Sequence, residues 1–177
     1  MISSFLLFCS VRRDGSCGGN CFNGGYTDGL GVGAPRSLVI SCTCLDPSSQ
    51  STIGFLAHEI YHALGVVHTQ TRPDRDSYIT VNFNSISSNG ASQYARCDQC
   101  KNLGTSYDCM SIMHYRDTFF STGGLTMTAK NPNSCDLRNP NKILTSSDVD
   151  LIRTMYQCSG VNPPNTGSGK NICILVS

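Results

Sequence analysis

Three histidines and one glutamate stand close together in His58-Glu59-Ile60-Tyr61-His62-Ala63-Leu64-Gly65-Val66-Val67-His68. On a helix, residues four apart lie on one face a turn apart, so His58 and His62 can reach the same ion. Gly65 can take a positive φ, which lets the chain leave the helix and return His68 as a third imidazole. Three neutral nitrogens suit zinc, leaving the ion its full charge and an open position for a water whose pKa falls to about 7. Glu59 is adjacent to the first ligand, placed to act as a general base without being a ligand itself. Glu59 is the only glutamate in the chain, and three of its four histidines occupy the motif. With that glutamate fixed, random shuffling fills the histidine and glycine slots on the order of once in a few million trials. Two histidines at this spacing alone would more often be an ordinary helix face.

Elements able to position these residues can be read around them. Ile53, Leu56, Ala57, Ile60 and Leu64 recur at helical spacing, predicting a helix over about 52–64, with Ser51 or Thr52 as cap and Gly65 as stop. Upstream, Gly-rich turns surround one strand-like run, 37–41. Downstream, 78–83 alternates like a strand, with Ile79, Val81 and Phe83 on one side. A last helix is expected over 147–156, where Ser147 and Asp150 resemble a capping box and Val149, Ile152 and Met155 share a face. Residues 159–177 have the Pro, Asn, Gly and Ser content of a linker.

The extended pattern H-E-x-x-H-x-x-G-x-x-H is the signature of the metzincins, which pair it with a methionine-containing turn downstream. Ser111-Ile112-Met113-His114-Tyr115 matches that turn in the form used by the astacin family. Arg72-Pro73-Asp74-Arg75-Asp76, then Tyr78-Ile79-Thr80-Val81-Asn82, and Tyr107-Asp108 before the turn, resemble the same family's continuation. The resemblance has landmarks from about Cys17 to Cys158. It implies an α+β, astacin-like metzincin catalytic domain over 1–158. In it a small twisted sheet packs on the active-site helix, above a loop-rich, disulfide-bonded lower subdomain with a C-terminal helix. It also implies an upper subdomain truncated at the N-terminus.

By that resemblance, His58, His62 and His68 bind one Zn2+ per chain, Met113 lies under the metal as an apolar floor, and Glu59 and Tyr115 are catalytic. The activity implied is endopeptidase hydrolysis of protein or peptide substrates: Glu59 takes the proton of the attacking water and Tyr115 stabilises the oxyanion. His114, the fourth histidine, is expected to be structural. The family's acidic residue after the third histidine, which binds the mature N-terminus, is replaced by Thr69. Two other readings compete: a catalytically inactive, zinc-binding metzincin-like protein, and a cysteine-rich adhesion or toxin-like module with incidental histidines.

Eleven cysteines in 177 residues point to disulfides and an extracellular compartment. The family bridge ahead of the active-site helix would draw on Cys17 or Cys21 with Cys42 or Cys44, four cysteines that allow three connectivities. Cys158 resembles the family's final cysteine, and Cys173 could open a further module. Cys97, Cys100, Cys109 and Cys135 are additional and are expected as disulfides in preference to a second zinc site. The apolar run at 5–8 is followed, not preceded, by Arg12-Arg13, so the secretory signal that the cysteines imply is not recognisable. It is also too short to span a membrane. A net charge of +1 with 14% charged residues provides no basic field for nucleic acid.

Overall fold

The computed structural model of the chain describes residues 9–14, 25–27, 36–41, 50–138 and 143–156. Cys17, Cys21, Cys42, Cys44, Cys158, Cys173 and the linker-like 159–177 lie outside the described residues. The architecture is α+β, as the family resemblance implies.

Strands β1 (Cys9–Asp14), β2 (Gly25–Thr27) and β3 (Arg36–Ser41) form one sheet in the order β1-β3-β2. β1 runs parallel to β3, pairing Val11 with Leu38, while β2 runs antiparallel, pairing Tyr26 with Val39. Helix α1 (Gln50–Ala63) lies against β2 and β3. It begins before the expected cap, so Ser51 and Thr52 fall inside its first turn, where N–H groups have no intrahelical partner and polar residues are well tolerated. Its apolar stripe is only partly used: Ile53 and Ile60 are exposed, whereas Ala57 and Tyr61 join the core.

After α1 the chain forms short 3-10 turns and one long-range pair of short strands. β4 (Ile79–Val81) pairs antiparallel with β5 (Met127–Ala129), Val81 opposite Met127. The strand expected over 78–83 is therefore shorter. After Asn82 N–H bonds Thr126 O at 2.8 Å, the Asn82 side chain reaches Ser85 Oγ at 2.7 Å and the backbone turns into the 3-10 segment Phe83–Ser85. Phe83 is consequently 52% exposed and not on the core side with Ile79. Ile79, Ile86, Tyr94, Met127 and Leu137 bury one core with the Cys109–Cys135 disulfide, and Cys97–Cys100 closes a tight loop.

Helix α2 (Ser146–Tyr156) starts from a reciprocal cap two residues upstream of the expected one. Asp148 N–H donates to Thr145 Oγ1 at 3.2 Å and Thr145 N–H donates to Asp148 Oδ2 at 3.0 Å. Thr145 wins over Ser147 because the Asp148 side chain is buried and has further donors to satisfy, while Asp150 faces solvent beside Arg153. Leu151, Ile152 and Met155 pack on Tyr61, Val66, Ile112 and Met113, and Tyr156 Oη donates to Leu64 O at 2.8 Å. A second core thus joins α1, its reversal, the methionine turn and α2. Among the described residues, no helix is long and apolar enough to cross a membrane.

Candidate metal centre

α1 ends in a reversal that satisfies its last carbonyls. Gly65 N–H bonds His62 O and Val66 N–H bonds Tyr61 O, both at 2.9 Å, with Gly65 at φ +93°. This 6→1 and 5→2 pairing is the Schellman arrangement, and it needs a residue that accepts a positive φ. The chain then returns His68 to the face carrying His58 and His62.

The three imidazoles converge. His62 Nε2 lies 3.0 Å from His68 Nε2, which lies 3.3 Å from His58 Nε2, and one ligand atom from each ring falls within 4.8 Å of the others. Two nitrogens each 2.0–2.1 Å from a tetrahedral zinc would stand roughly 3.3 Å apart, so the spacing fits such an ion. The ring tautomers fit as well. His58 Nδ1 sits 2.8 Å from Ile112 O and His62 Nδ1 sits 2.8 Å from Val66 O. Carbonyl oxygens only accept, so each Nδ1 carries the proton and each Nε2 presents a lone pair to the common point. Burial lowers the pKa of His62, opposed by its bond to Val66 O. Burial, then the neighbouring His62, His58 and His114, hold His68 well below its ordinary value. Neutral imidazoles, the form that ligates, are thereby favoured. Among the described residues this is the one group of three or more His, Cys, Asp or Glu side chains so arranged, and His58, His62 and His68 could hold a zinc ion.

Glu59 is buried, and that burial pushes its carboxyl up to about 7. The methionine turn lies against the triad: Met113 is 1% exposed within the second core, and its carbonyl accepts Thr69 N–H at 3.0 Å. The Tyr115 ring stands 4.3 Å from that of His68, centroid to centroid, and stacks on Phe119 at 4.9 Å. Its hydroxyl points to Gln93 Oε1 at 3.5 Å, the outer limit of a hydrogen bond. Burial, then Tyr94 and the Glu59 carboxylate, raise the phenol well above its usual range. His114 is buried away from the triad's shared point. Its Nδ1–H donates to Tyr115 O at 2.7 Å and its Nε2 accepts from Tyr107 Oη at 2.8 Å.

Thr69, where a carboxylate is the family expectation, donates through Oγ1 to Ser111 Oγ at 3.2 Å. Ser111 Oγ in turn donates to Asp148 Oδ1 at 2.6 Å. A buried carboxylate is thus present in this layer, but it comes from α2. Asp148, Gln70 and Gln93 escape a reading of the sequence. Only Asp148 carries a local signal, the Thr145-x-x-Asp148 spacing.

Comparison with known proteins agrees with this geometry. Zinc metalloproteinase dpy-31 of Caenorhabditis elegans is 46% identical over 115 residues, 63% of this chain and 19% of that protein. High choriolytic enzyme 1 of Oryzias latipes is 38% identical over 106 residues, 59% of this chain and 39% of that protein. Protein SpAN of Strongylocentrotus purpuratus is 35% identical over 111 residues, and there the match spans only 18% of the relative's length. The solved structure of high choriolytic enzyme 1, a hatching enzyme zinc-protease of the medaka fish, superposes with a TM-score of 0.67 at 33% identity, covering 85% of this chain and 69% of that one. Myroilysin, at TM-score 0.55 and 19% identity, shares the fold. The peptidase family model described as Astacin matches residues 32–157, taking in the helix, its reversal and the methionine turn alike, and the chain belongs to the astacin family.

Proposed function

We propose that this chain is the catalytic part of a secreted zinc endopeptidase that hydrolyses peptide bonds in proteins, its catalytic domain extending over 1–158 and 159–177 serving as a linker or tail that leads towards a further module. The observation that carries the reading is the convergence of three Nε2 atoms with the buried Glu59 next to the first of them. Held by His58, His62 and His68, zinc would supply a polarised substrate carbonyl and a water of lowered pKa.

The residues of the chain do the remaining work. Glu59 accepts the proton of the attacking water and returns it to the departing amine, so no covalent enzyme intermediate is required. Tyr115, a phenol and therefore protonated near neutral pH, donates a hydrogen bond to the oxyanion of the tetrahedral intermediate. Met113 closes the underside of the triad with an apolar side chain. The disulfides Cys97–Cys100 and Cys109–Cys135 support an oxidising compartment. Cleavage of casein by the refolded chain tests the reading: activity should depend on zinc, vanish on chelation and be absent in Glu59→Ala. A zinc-loaded chain that leaves casein intact would mark it as a zinc-binding protein without peptidase activity.

A further inference from the structure

Gln70 lies two residues beyond His68 and is 0% exposed, unusual for a long carboxamide. Both polar atoms of its side chain are hydrogen-bonded. Oε1 accepts the Tyr115 N–H at 3.1 Å, and Nε2 donates to Gln93 O at 3.3 Å. One partner can only donate and the other only accept, so the amide has a single satisfied orientation. The backbone carbonyl of Gln70 is fixed by the buried Arg75, whose Nη1 donates to it at 2.9 Å and also to Tyr94 O at 2.9 Å.

From this arrangement we infer that Gln70 is a positioning residue for Tyr115, fixing the backbone from which its ring stands against His68, 4.3 Å between centroids. The inference rests on the catalytic reading of Tyr115 given above. The Gln70 carboxamide clamps Tyr115 at its backbone nitrogen, and through Gln93 O it fixes the segment whose side chain receives the Tyr115 hydroxyl. Both ends of the tyrosine are thus referenced to the backbone that carries the third imidazole. Orientation errors of about 1 Å at a reacting group can reduce a rate up to a hundredfold, so a clamp of this kind acts on turnover more than on substrate binding.

The test is Gln70→Met, close in length but without hydrogen bonds, made alone and together with Tyr115→Phe, with Gln70→Glu as the variant that keeps an acceptor. In metal-free protein, the Tyr115 amide proton should exchange about tenfold faster in Gln70→Met and stay protected in Gln70→Glu. In zinc-loaded protein, Gln70→Met should retain its zinc and lower kcat about tenfold with KM within about twofold, and the same substitution in Tyr115→Phe should change kcat by less than about twofold. Equal losses in both backgrounds, or unchanged Tyr115 amide exchange, would overturn the assignment of Gln70. A fully active Tyr115→Phe would overturn the role of Tyr115 and the inference with it. If Gln70→Met does not fold, wild-type protein decides: a scalar coupling across the hydrogen bond from Tyr115 nitrogen to Gln70 Cδ is expected, and its absence counts against the clamp.

Discussion

His58 and Ile112 are separated by 54 residues, yet the imidazole Nδ1 and the carbonyl oxygen stand 2.8 Å apart. Ile112 is held in turn from α2, because its N–H donates to Asp148 Oδ2 at 3.1 Å. Asp148, 3% exposed, also accepts from Ser111 Oγ and Thr145 N–H. One carboxylate thereby ties the methionine turn to α2 and, through Ile112, sets the ring of the first imidazole. Asp148→Ala removes the acceptor for all three donors inside the protein, so the fold should lose about 3 kcal/mol, read by urea unfolding of metal-free protein. Zinc affinity should weaken roughly tenfold, because partners that orient ligands contribute on that scale. An Asp148→Ala protein with unchanged stability and zinc affinity would remove Asp148 from this role.

Zinc binding should appear as stability. A ligand that binds only the folded state adds about 2.7 kcal/mol when present at about 100 times its Kd. For a chain of this size that corresponds to a rise in Tm of about 5–10 °C. His62→Ala, lacking one of the converging nitrogens, should show little of this rise at the same zinc concentration. Differential scanning fluorimetry with and without zinc reads both, and an equal rise in His62→Ala would place the ion elsewhere.

The parts legible in the sequence are those encoded locally. His58, His62, Gly65 and His68 fall within eleven consecutive residues, so helical geometry and one positive φ suffice to bring the rings together. Resemblance adds the methionine turn, whose contact with the triad spans more than forty residues and has no local signature. Gln70 has no signal, since a glutamine in sequence does not reveal that its two ends will meet Tyr115 and Gln93. The α2 cap falls at Thr145 and not at Ser147 for a related reason: side-chain spacing suits both, and burial of Asp148 decides between them. β5 is invisible in the sequence because three residues, Met127–Ala129, are too few to show a period.

The two described disulfides should differ in their contribution. Cys109 and Cys135 are 26 residues apart and buried in the first core, whereas Cys97 and Cys100 are separated by three. Loop-closure entropy gives about 3.5 kcal/mol for the longer bridge and about 2 kcal/mol for the shorter. Replacing Cys109 and Cys135 together by alanine should therefore lower unfolding free energy by at least about 1 kcal/mol more than replacing Cys97 and Cys100, with the lost core packing widening the gap. Equilibrium unfolding of the two double variants compares them directly, and equal losses would contradict the ranking.

Glu59 should reduce stability in the metal-free protein even though the proposed reaction depends on it. Its carboxyl is raised from 4.5 to about 7 by burial. Between those values the unfolded chain has released the proton and the folded chain retains it, so the group's contribution is most favourable below about pH 4.5 and is lost as pH rises through about 7. Glu59→Gln removes the charge and keeps the shape. Measured after zinc removal, it should be more stable than wild type by about 3 kcal/mol at about pH 8, with the gain shrinking towards zero at about pH 4. Urea unfolding of both proteins across that range follows the difference, which cancels the histidine titrations they share. A gain that grows towards acid pH would have the wrong sign for a buried carboxylate. Zinc would draw the carboxylate back to its ionised form, so the stability deficit of wild type should narrow on loading.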